Sequence, residues 1–233
     1  MAAGKGLRPR RAHAMSELTL VIGNKNYSSW SLRPWLVLKQ FGIPFTEIRI
    51  PLYGSDAKAN ILRHSPSGKV PVLHDGDITV WDSLAICEYL AERFPQQQLW
   101  PAQPAARALA RAICAEMHTG FADMRQHMTM NIRGHFPGKG MTPEVAQDIE
   151  RIQAIWRDCR TGFGAGGPYL FGALSIADAF FAPVVLRFVT YAPVLEKPTH
   201  AYMAALLELP ALQEWIAAAK AETEIIPAFE LYR

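Results

Sequence analysis

The sequence predicts an α/β unit followed by an all-helical unit. Up to about residue 95, short apolar strand patterns alternate with helical patterns, whereas only helical patterns follow residue 103. The stretch between them, 96–103, is rich in proline and glutamine, which is typical of a linker. A length of 233 residues suits one large domain or two small ones. We therefore expect two domains, at 17–95 and 104–233.

The first unit has the predicted order β-α-β-α-β-β-α. Its patterns are a strand at Leu18–Gly23, a helix from Leu32 to Phe41, a strand at Phe45–Ile50, a weak helix at Asp56–Arg63, strands at Val70–His74 and Ile78–Trp81, and a helix at Leu84–Arg93. The clearest signal is the hairpin, in which Asp75-Gly76-Asp77 joins two short strands. The Phe41-Gly42 and Phe94-Pro95 pairs end the first and last helices.

The second unit shows helical spacing and no convincing strand. The predicted helices lie at Ala105–Asn131, Pro143–Thr161, Ile176–Tyr191, Tyr202–Leu207 and Leu212–Ala221. Glycine-rich stretches at 133–140 and 162–168 interrupt them. Such a pattern predicts a helical bundle.

Charge and composition exclude several classes of function. The formal net charge is +3, but residues 1–14 alone carry +4, so the remaining chain carries −1. A body so close to neutral gives no electrostatic case for binding nucleic acid or an anionic membrane. No apolar run approaches the ~20 residues that a membrane-spanning helix needs. We expect the basic stretch 1–16 to be a disordered tail, with Met15 opening the folded part; a weak mitochondrial-type presequence is the alternative.

The cysteines predict neither a metal site nor a disulfide framework. Cys87, Cys114 and Cys159 are three in number and widely spaced, with no CxxC pair. Cys87 shares the apolar face of its predicted helix, so we expect a thiol packed in the core. A reducing cytoplasm is the simplest location for such a chain.

The loop before the first helix is the first candidate site. Ser28, Ser29 and Ser31 lie where a strand ends and a helix begins. A helix N-terminus offers unpaired N–H groups and a partial positive charge, which favour an anion such as a thiolate. A serine hydroxyl there can donate one more hydrogen bond. The same serines also suit plain helix capping, and this loop alone does not decide between the two.

Two further segments follow the same logic. Pro71 opens a predicted strand, where it suits a plain strand start or a cis turn that exposes the backbone of Val70 to an extended peptide. Asp82 and Ser83 precede the next helix, and Ser83 is the expected N-cap. That pair can hold the ammonium and carboxylate groups of an amino acid, although ordinary capping also fits.

Taken in this order, these segments resemble the glutathione transferase family, and the resemblance runs from about Leu18 to Trp215. Its densest part is SPSGKVPVLHDGDITVWDSLAICEYLAERFP at Ser65–Pro95. In the helical half, Leu174-Ser175-Ile176-Ala177-Asp178 resembles the family's capping box with its hydrophobic staple. The resemblance implies a thioredoxin-like βαβαββα domain followed by an all-helical domain, in a homodimer.

The resemblance also implies roles for particular residues. The run Ser28-Ser29-Trp30-Ser31-Leu32-Arg33 is similar to the serine-type zeta and tau classes, which makes Ser28 the residue that stabilises the thiolate of glutathione, with Ser29 as the alternative. Val70, ahead of a cis Pro71, would pair with the cysteinyl backbone of glutathione. Asp82 and Ser83 would hold its γ-glutamyl end, and Lys69 its glycyl carboxylate.

The second substrate is predicted less sharply. The stripe Met117, Phe121, Met124 and Met128 lies on one face of a predicted helix, which is typical of core packing; in the resembled family that helix often borders the electrophile site. Trp30 and Arg125 are further candidates for that site, with His118 and Asn131 as weaker ones.

Three hypotheses follow from these residues. The first is a transferase in which glutathione attacks a small, apolar or aromatic electrophile. The second is a zeta-type, glutathione-dependent isomerase such as maleylacetoacetate isomerase, which Trp30 in place of the zeta cysteine brings into question. The third is a non-catalytic binding module. The transferase is preferred, because the sequence offers only Arg33 and Arg125 as cations for a dicarboxylate-like substrate.

Overall fold

The structure is a computed structural model that describes residues 17–232. The predicted basic tail at 1–16, including Met15 as the start of the folded part, lies outside the described residues.

The first unit has the predicted order of elements. These are β1 (Leu18–Ile22), α1 (Ser29–Gln40), β2 (Phe45–Arg49), α2 (Ala57–Leu62), β3 (Val72–Asp75), β4 (Ile78–Trp81) and α3 (Ser83–Arg93). The four strands form one sheet in the order β2-β1-β3-β4. β1 and β2 are parallel and are joined by the crossover helix α1, whereas β3 is antiparallel to both β1 and β4.

Burial explains why β1 lies in the middle of the sheet. Leu20, Val21 and Ile22 are fully buried, as expected for a continuous apolar run that is covered on both faces. Val21 is paired with Val72 at the start of β3, so β3 begins two residues later than the predicted Val70. Val70 and Pro71 therefore precede the ladder rather than belong to it.

The second unit is helical. Its helices are α4 (Pro104–Thr119), α5 (Ala122–His127), α6 (Pro143–Phe163), α7 (Ile176–Tyr191), α8 (Lys197–Leu207) and α9 (Pro210–Ala221). Short 3-10 turns lie at Pro95–Gln97 and Pro227–Phe229. Among the described residues, no helix has both the length and the apolar character that a bilayer crossing requires.

The predicted long helix Ala105–Asn131 is wrong, because the chain forms two helices there. Gly120 is extended, and Phe121 adopts a left-handed conformation with φ 59°. The new helix α5 is held at its start by the carboxylate of Asp148, which accepts a hydrogen bond of 2.9 Å from the backbone N–H of Met124. The methionines on either side of the break therefore do not share one helical face.

α7 is the central helix of the structure. It is apolar and buried almost all round, as expected for a core helix, and its two charged residues are Asp178 and Arg187. The predicted capping box is present: the backbone N–H of Ser175 donates to the Asp178 carboxylate at 2.9 Å. α7 packs directly against α1 and so joins the second unit to the first.

The segment after α9 closes against the loop that precedes α1. The Glu222 carboxylate accepts hydrogen bonds from the backbone N–H groups of Lys25 at 2.7 Å and Asn26 at 3.0 Å. The Trp215 indole donates to the Lys25 carbonyl at 3.0 Å. Residues far apart in sequence thus fix the loop that leads into the helix N-terminus.

Candidate functional site

The predicted binding residues of the first unit converge on one cleft of about 650 Å³. It lies at the N-terminus of α3, beside the turn that precedes β3, and is roofed by α4. The lining residues are Trp30, Ser67, Lys69, Val70, Pro71, Trp81, Asp82, Ser83 and His118. A pocket of this size and mixed lining suits a small peptide-like ligand.

Asp82, rather than the predicted Ser83, is the N-cap of α3. Its Oδ1 accepts from the backbone N–H groups of Leu84 at 2.8 Å and Ala85 at 3.3 Å. Asp82 has φ 76°, a left-handed conformation that costs free energy for a residue with a side chain. Ser83 is the first residue of the helix and is buried. The prediction erred by one residue because both side chains are good caps and the sequence does not show the turn.

The second carboxylate oxygen of Asp82, Oδ2, faces a histidine from the second unit. His118 of α4 places Nε2 at 3.1 Å from Asp82 Oδ2, and its ring makes an edge contact with Trp30, with centroids 5.1 Å apart. Burial lowers the pKa of His118, and the nearby cations Arg33 and Arg125 lower it further, against the opposing effect of Asp82. His118 is therefore neutral at neutral pH, and its contact with the Asp82 carboxylate places the ring hydrogen on Nε2.

The turn before β3 presents backbone to the cleft. The peptide bond between Val70 and Pro71 is cis, as the resemblance implied. Val70 lies just outside the sheet ladder, and Lys69 lies beside it at the cleft edge. The backbone of Val70 can therefore pair with an extended peptide, while the Lys69 ammonium can reach an anionic end group.

The two candidate serines differ in what surrounds them. Ser28 is buried and is the N-cap of α1: its hydroxyl donates to Ser31 Oγ at 2.7 Å and accepts from the Ser31 backbone N–H at 3.4 Å. Ser29 is half-buried, and its Oγ accepts from Arg187 Nη2 at 3.5 Å. Neither lines the cleft itself, although their neighbour Trp30 does.

Three arginines surround the N-terminal turn of α1. Arg33 and Arg125 lie over the Trp30 ring, with their Cζ atoms 4.4 Å and 4.9 Å from its centroid. Arg33 also donates to the Ser83 hydroxyl at 3.3 Å. Burial, and then the charges of Arg125 and Arg187, lower the pKa of Arg33 to about 9. Within residues 17–232, none of the three forms an ion pair with a carboxylate.

The predicted apolar stripe does not line this cleft. Met117 and Met124 are at most 1% exposed, and Phe121 is 7% exposed, so all three belong to the core. Arg125 donates to the carbonyl oxygens of Met117 and His118 and reaches the site only through Trp30. Of the residues predicted for the second substrate, Trp30 and the weaker candidate His118 line the cleft.

Sequence reasoning missed Arg187 and undervalued His118. A signal for Arg187 was present, since it is the one cation in the run Ile176–Tyr191, and a charge in an otherwise apolar helix needs a reason. His118 had no comparable signal. Its position over Asp82 depends on how α4 packs across the first unit.

Comparisons with known proteins agree with this fold and arrangement. The profile of the glutathione S-transferase N-terminal domain matches residues 27–93, and that of the C-terminal domain matches 142–218. A Burkholderia glutathione transferase homolog, solved with bound glutathione, superposes with a TM-score of 0.67 at 22% identity, over 88% of this chain and all of that one. The fold is thus a thioredoxin-like domain followed by a helical domain of the glutathione transferase type.

Curated relatives point the same way. Glutathione S-transferase GstB of Escherichia coli strain K12 is 30% identical over 60% of this chain and 65% of its own length, so the match spans just under two thirds of that relative. A probable maleylacetoacetate isomerase of Caenorhabditis elegans is 26% identical over 66% of this chain and 73% of its own length. The chain belongs to the glutathione S-transferase family.

Proposed function

We propose that this protein is a glutathione transferase that binds glutathione in the cleft between the β3 turn and α3 and stabilises its thiolate with a serine hydroxyl. The observation that carries the proposal is the convergence of Lys69, Val70, Asp82 and Ser83 on one cleft beside the N-terminus of α1. Each group has the chemistry to bind one part of a γ-glutamyl-cysteinyl-glycine peptide.

The binding scheme follows from the charges. The Asp82 carboxylate takes the γ-glutamyl ammonium group, and the Ser83 hydroxyl takes its carboxylate near the positive end of α3. The Ser83 oxygen already accepts from Arg33, so its hydrogen is free to donate to that ligand. Val70 pairs with the cysteinyl backbone, and Lys69 takes the glycyl carboxylate. The cysteinyl sulphur is then directed to the first turn of α1.

In the chemical step the thiol proton leaves to water and the thiolate sulphur attacks an electrophilic carbon. A carbon–sulphur bond forms while a leaving group departs with its electron pair, or an activated double bond takes up a proton. A free thiol has a pKa of about 8.5, so each unit of lowering makes the thiolate about tenfold more abundant near neutral pH. Two tryptophans, Trp30 and the 47% exposed Trp81, line the cleft. Their aromatic surfaces suit an apolar or aromatic co-substrate.

Ser29, rather than Ser28, is the hydroxyl we assign to the thiolate. Both hydrogen-bonding directions of Ser28 are used within α1, whereas the Ser29 hydrogen remains to be donated. Ser29→Ala is expected to raise the pKa of the bound sulphur by about one unit and to lower turnover about tenfold at neutral pH, with glutathione affinity nearly unchanged. Ser28→Ala is expected to leave turnover within a few-fold and to cost about 1 kcal/mol of stability through the lost cap.

Isothermal calorimetry of glutathione, ultraviolet titration of the thiolate and turnover of an aromatic electrophile, run on both variants, test this assignment. If Ser28→Ala gives the large change in sulphur pKa and Ser29→Ala does not, the two serines exchange roles. If the parent binds no glutathione at millimolar concentration, the enzyme proposal fails and the fold serves as a binding module.

His118 makes glutathione binding sensitive to acid. Because its pKa lies below the ordinary value of about 6.5, it is neutral at pH 7 and leaves the Asp82 charge to the ligand ammonium. As the pH falls below the lowered pKa, the ring gains a proton at Nδ1, and its positive charge, 3.1 Å from Asp82 Oδ2, then competes with the ligand ammonium for the carboxylate. We expect glutathione affinity to fall several-fold as the pH drops below the lowered pKa of His118, and this fall to be absent in His118→Gln. Calorimetry at pH values above and below that pKa checks it; an acid limb that persists in His118→Gln would contradict the competition.

A glutathione-dependent isomerase is the second candidate, because three arginines that form no ion pair with a carboxylate among residues 17–232 suit an anionic substrate. The probable isomerase among the relatives is consistent with it. The two activities differ in stoichiometry. A transferase consumes one glutathione per turnover, whereas an isomerase returns it, so a free-thiol assay during turnover separates them.

The proposal extends to location and assembly. The three cysteines are free and buried in the structure, which suits a reducing cytoplasm. The family resemblance implies a homodimer, for which light scattering on the purified protein is the direct measurement.

A further inference from the structure

Arg187 is a buried charge that the binding scheme for glutathione does not use. It is 5% exposed, lies in the apolar helix α7, and has no carboxylate partner within the described part of the chain. An uncompensated buried charge is costly, and burial together with the charge of Arg125 lowers the pKa of Arg187 to about 10. Such groups concentrate at functional sites.

The guanidinium is fixed in place rather than mobile. Nε donates to the Met128 carbonyl at 2.8 Å, and Nη1 donates to the Pro183 carbonyl at 3.2 Å. These two contacts orient the planar group so that Nη2 faces Ser29 Oγ at 3.5 Å, the outer range of a hydrogen bond. Arg125 and Tyr191 are titratable groups that act on the pKa of this guanidinium, the first lowering it and the second raising it.

We propose that Arg187 is a positioning residue for the thiolate: it occupies the oxygen of Ser29, so that the hydroxyl hydrogen is directed to the glutathione sulphur, and its charge stabilises the anion formed there. The inference rests on the proposed function and names the partner that the serine needs. A hydroxyl whose oxygen accepts from a cation is a stronger donor than an isolated one. The site is then shared by both units, with the serine from α1 and its cation from α7.

Arg187→Lys tests the proposal. An ammonium group keeps the charge but cannot contact two fixed carbonyls and Ser29 with one planar fork. We expect the pKa of the bound sulphur to rise by about one unit, which is about tenfold less thiolate near neutral pH, with glutathione affinity within about threefold of the parent. In the Ser29→Ala background the same replacement is expected to change the sulphur pKa little, because Arg187 acts through Ser29.

The matched control is Arg107→Lys. Arg107 also donates to two backbone carbonyls, those of Pro101 and Ala102, but it lies at the start of α4. It should leave the sulphur pKa unchanged. Thermal unfolding and circular dichroism establish that each variant is folded, and thiolate absorbance titrated against pH gives the sulphur pKa.

The outcomes separate clearly. An unchanged sulphur pKa in Arg187→Lys overturns the proposal, as does an equal rise with and without Ser29. If Arg187→Lys does not fold, Ser29→Ala provides the test. An unchanged sulphur pKa in Ser29→Ala would show that Ser29 does not act on the sulphur. The proposal would then be overturned, because Arg187 is proposed to act through Ser29. Failure of the parent to bind glutathione is a different result, since calorimetry detects it before any thiolate is measured.

Discussion

Replacing Asp178 with alanine is expected to destabilise the protein by about 3–5 kcal/mol. The carboxylate is fully buried and accepts four hydrogen bonds: from the backbone N–H groups of Leu170 and Ser175 at 3.1 Å and 2.9 Å, and from the hydroxyls of Ser175 and Tyr202 at 3.1 Å and 3.0 Å. Alanine leaves these buried donors without a partner and removes the cap of the central helix.

Urea unfolding followed by circular dichroism measures the loss. The matched control is Asp158→Ala on α6, an exposed aspartate on a helix surface, for which we expect a change within about 0.5 kcal/mol. Equal losses in the two variants would contradict the role assigned to Asp178.

The contribution of the Asp178 carboxylate to stability depends on pH. Burial raises the pKa of Asp178 from 3.8 to about 6, against the lowering effect of its hydrogen bonds. Between these values the native state binds more protons at this site than the unfolded state, so its contribution to stability falls as the pH rises through that window. The gap between parent and alanine variant should therefore widen as the pH is lowered towards 4.

Asp82→Asn is expected to weaken glutathione binding about 30-fold, which corresponds to roughly 2 kcal/mol at the ammonium group. Asparagine keeps an oxygen for the two N–H groups at the start of α3 and has nearly the same size and shape as aspartate, so we expect the fold to be preserved. What is lost is the negative charge in the cleft. The effect therefore reports recognition rather than stability.

A ligand change provides the control for this prediction. A glutathione analogue that lacks the γ-glutamyl ammonium group should bind the parent and Asp82→Asn with similar affinity, measured by calorimetry. If the variant loses affinity for glutathione and for the analogue alike, Asp82 shapes the cleft but does not bind the ammonium. If Asp82→Asn binds glutathione as the parent does, the binding scheme is wrong at this end.

The elements most accessible to sequence reasoning were those set by local rules. The helix at Ile176–Tyr191 was predicted with its observed bounds because a capping box opens it and its apolar run is continuous. The order of strands and helices in the first unit followed from periodicity in the same way. The break at Gly120 was missed because the carboxylate that holds the next helix, Asp148, comes from a distant part of the chain.

The candidate site likewise contains residues that local sequence patterns predict and residues that depend on distant parts of the chain. Asp82, Ser83, Val70 and Lys69 come from two short segments whose order is legible in the sequence, and the structure places them in one cleft. Which serine faces outward depends on the hydrogen bonds of the α1 cap, and the arginine behind Ser29 comes from another helix. Convergence of side chains from separate helices leaves no local pattern in an unaligned sequence.

The contact between Glu222 and the loop before α1 has a consequence for synthesis. The backbone of Lys25 finds its carboxylate partner 197 residues further along the chain. At typical translation rates of about 5–20 residues per second, that partner emerges roughly 10–40 s after the loop has left the ribosome. The sheet and α1 are synthesised first. The turn before the serines gains its carboxylate partner only after the end of α9 has been synthesised. Until Glu222 has emerged, the loop that leads to the candidate serines lacks the two hydrogen bonds that fix it in the finished chain.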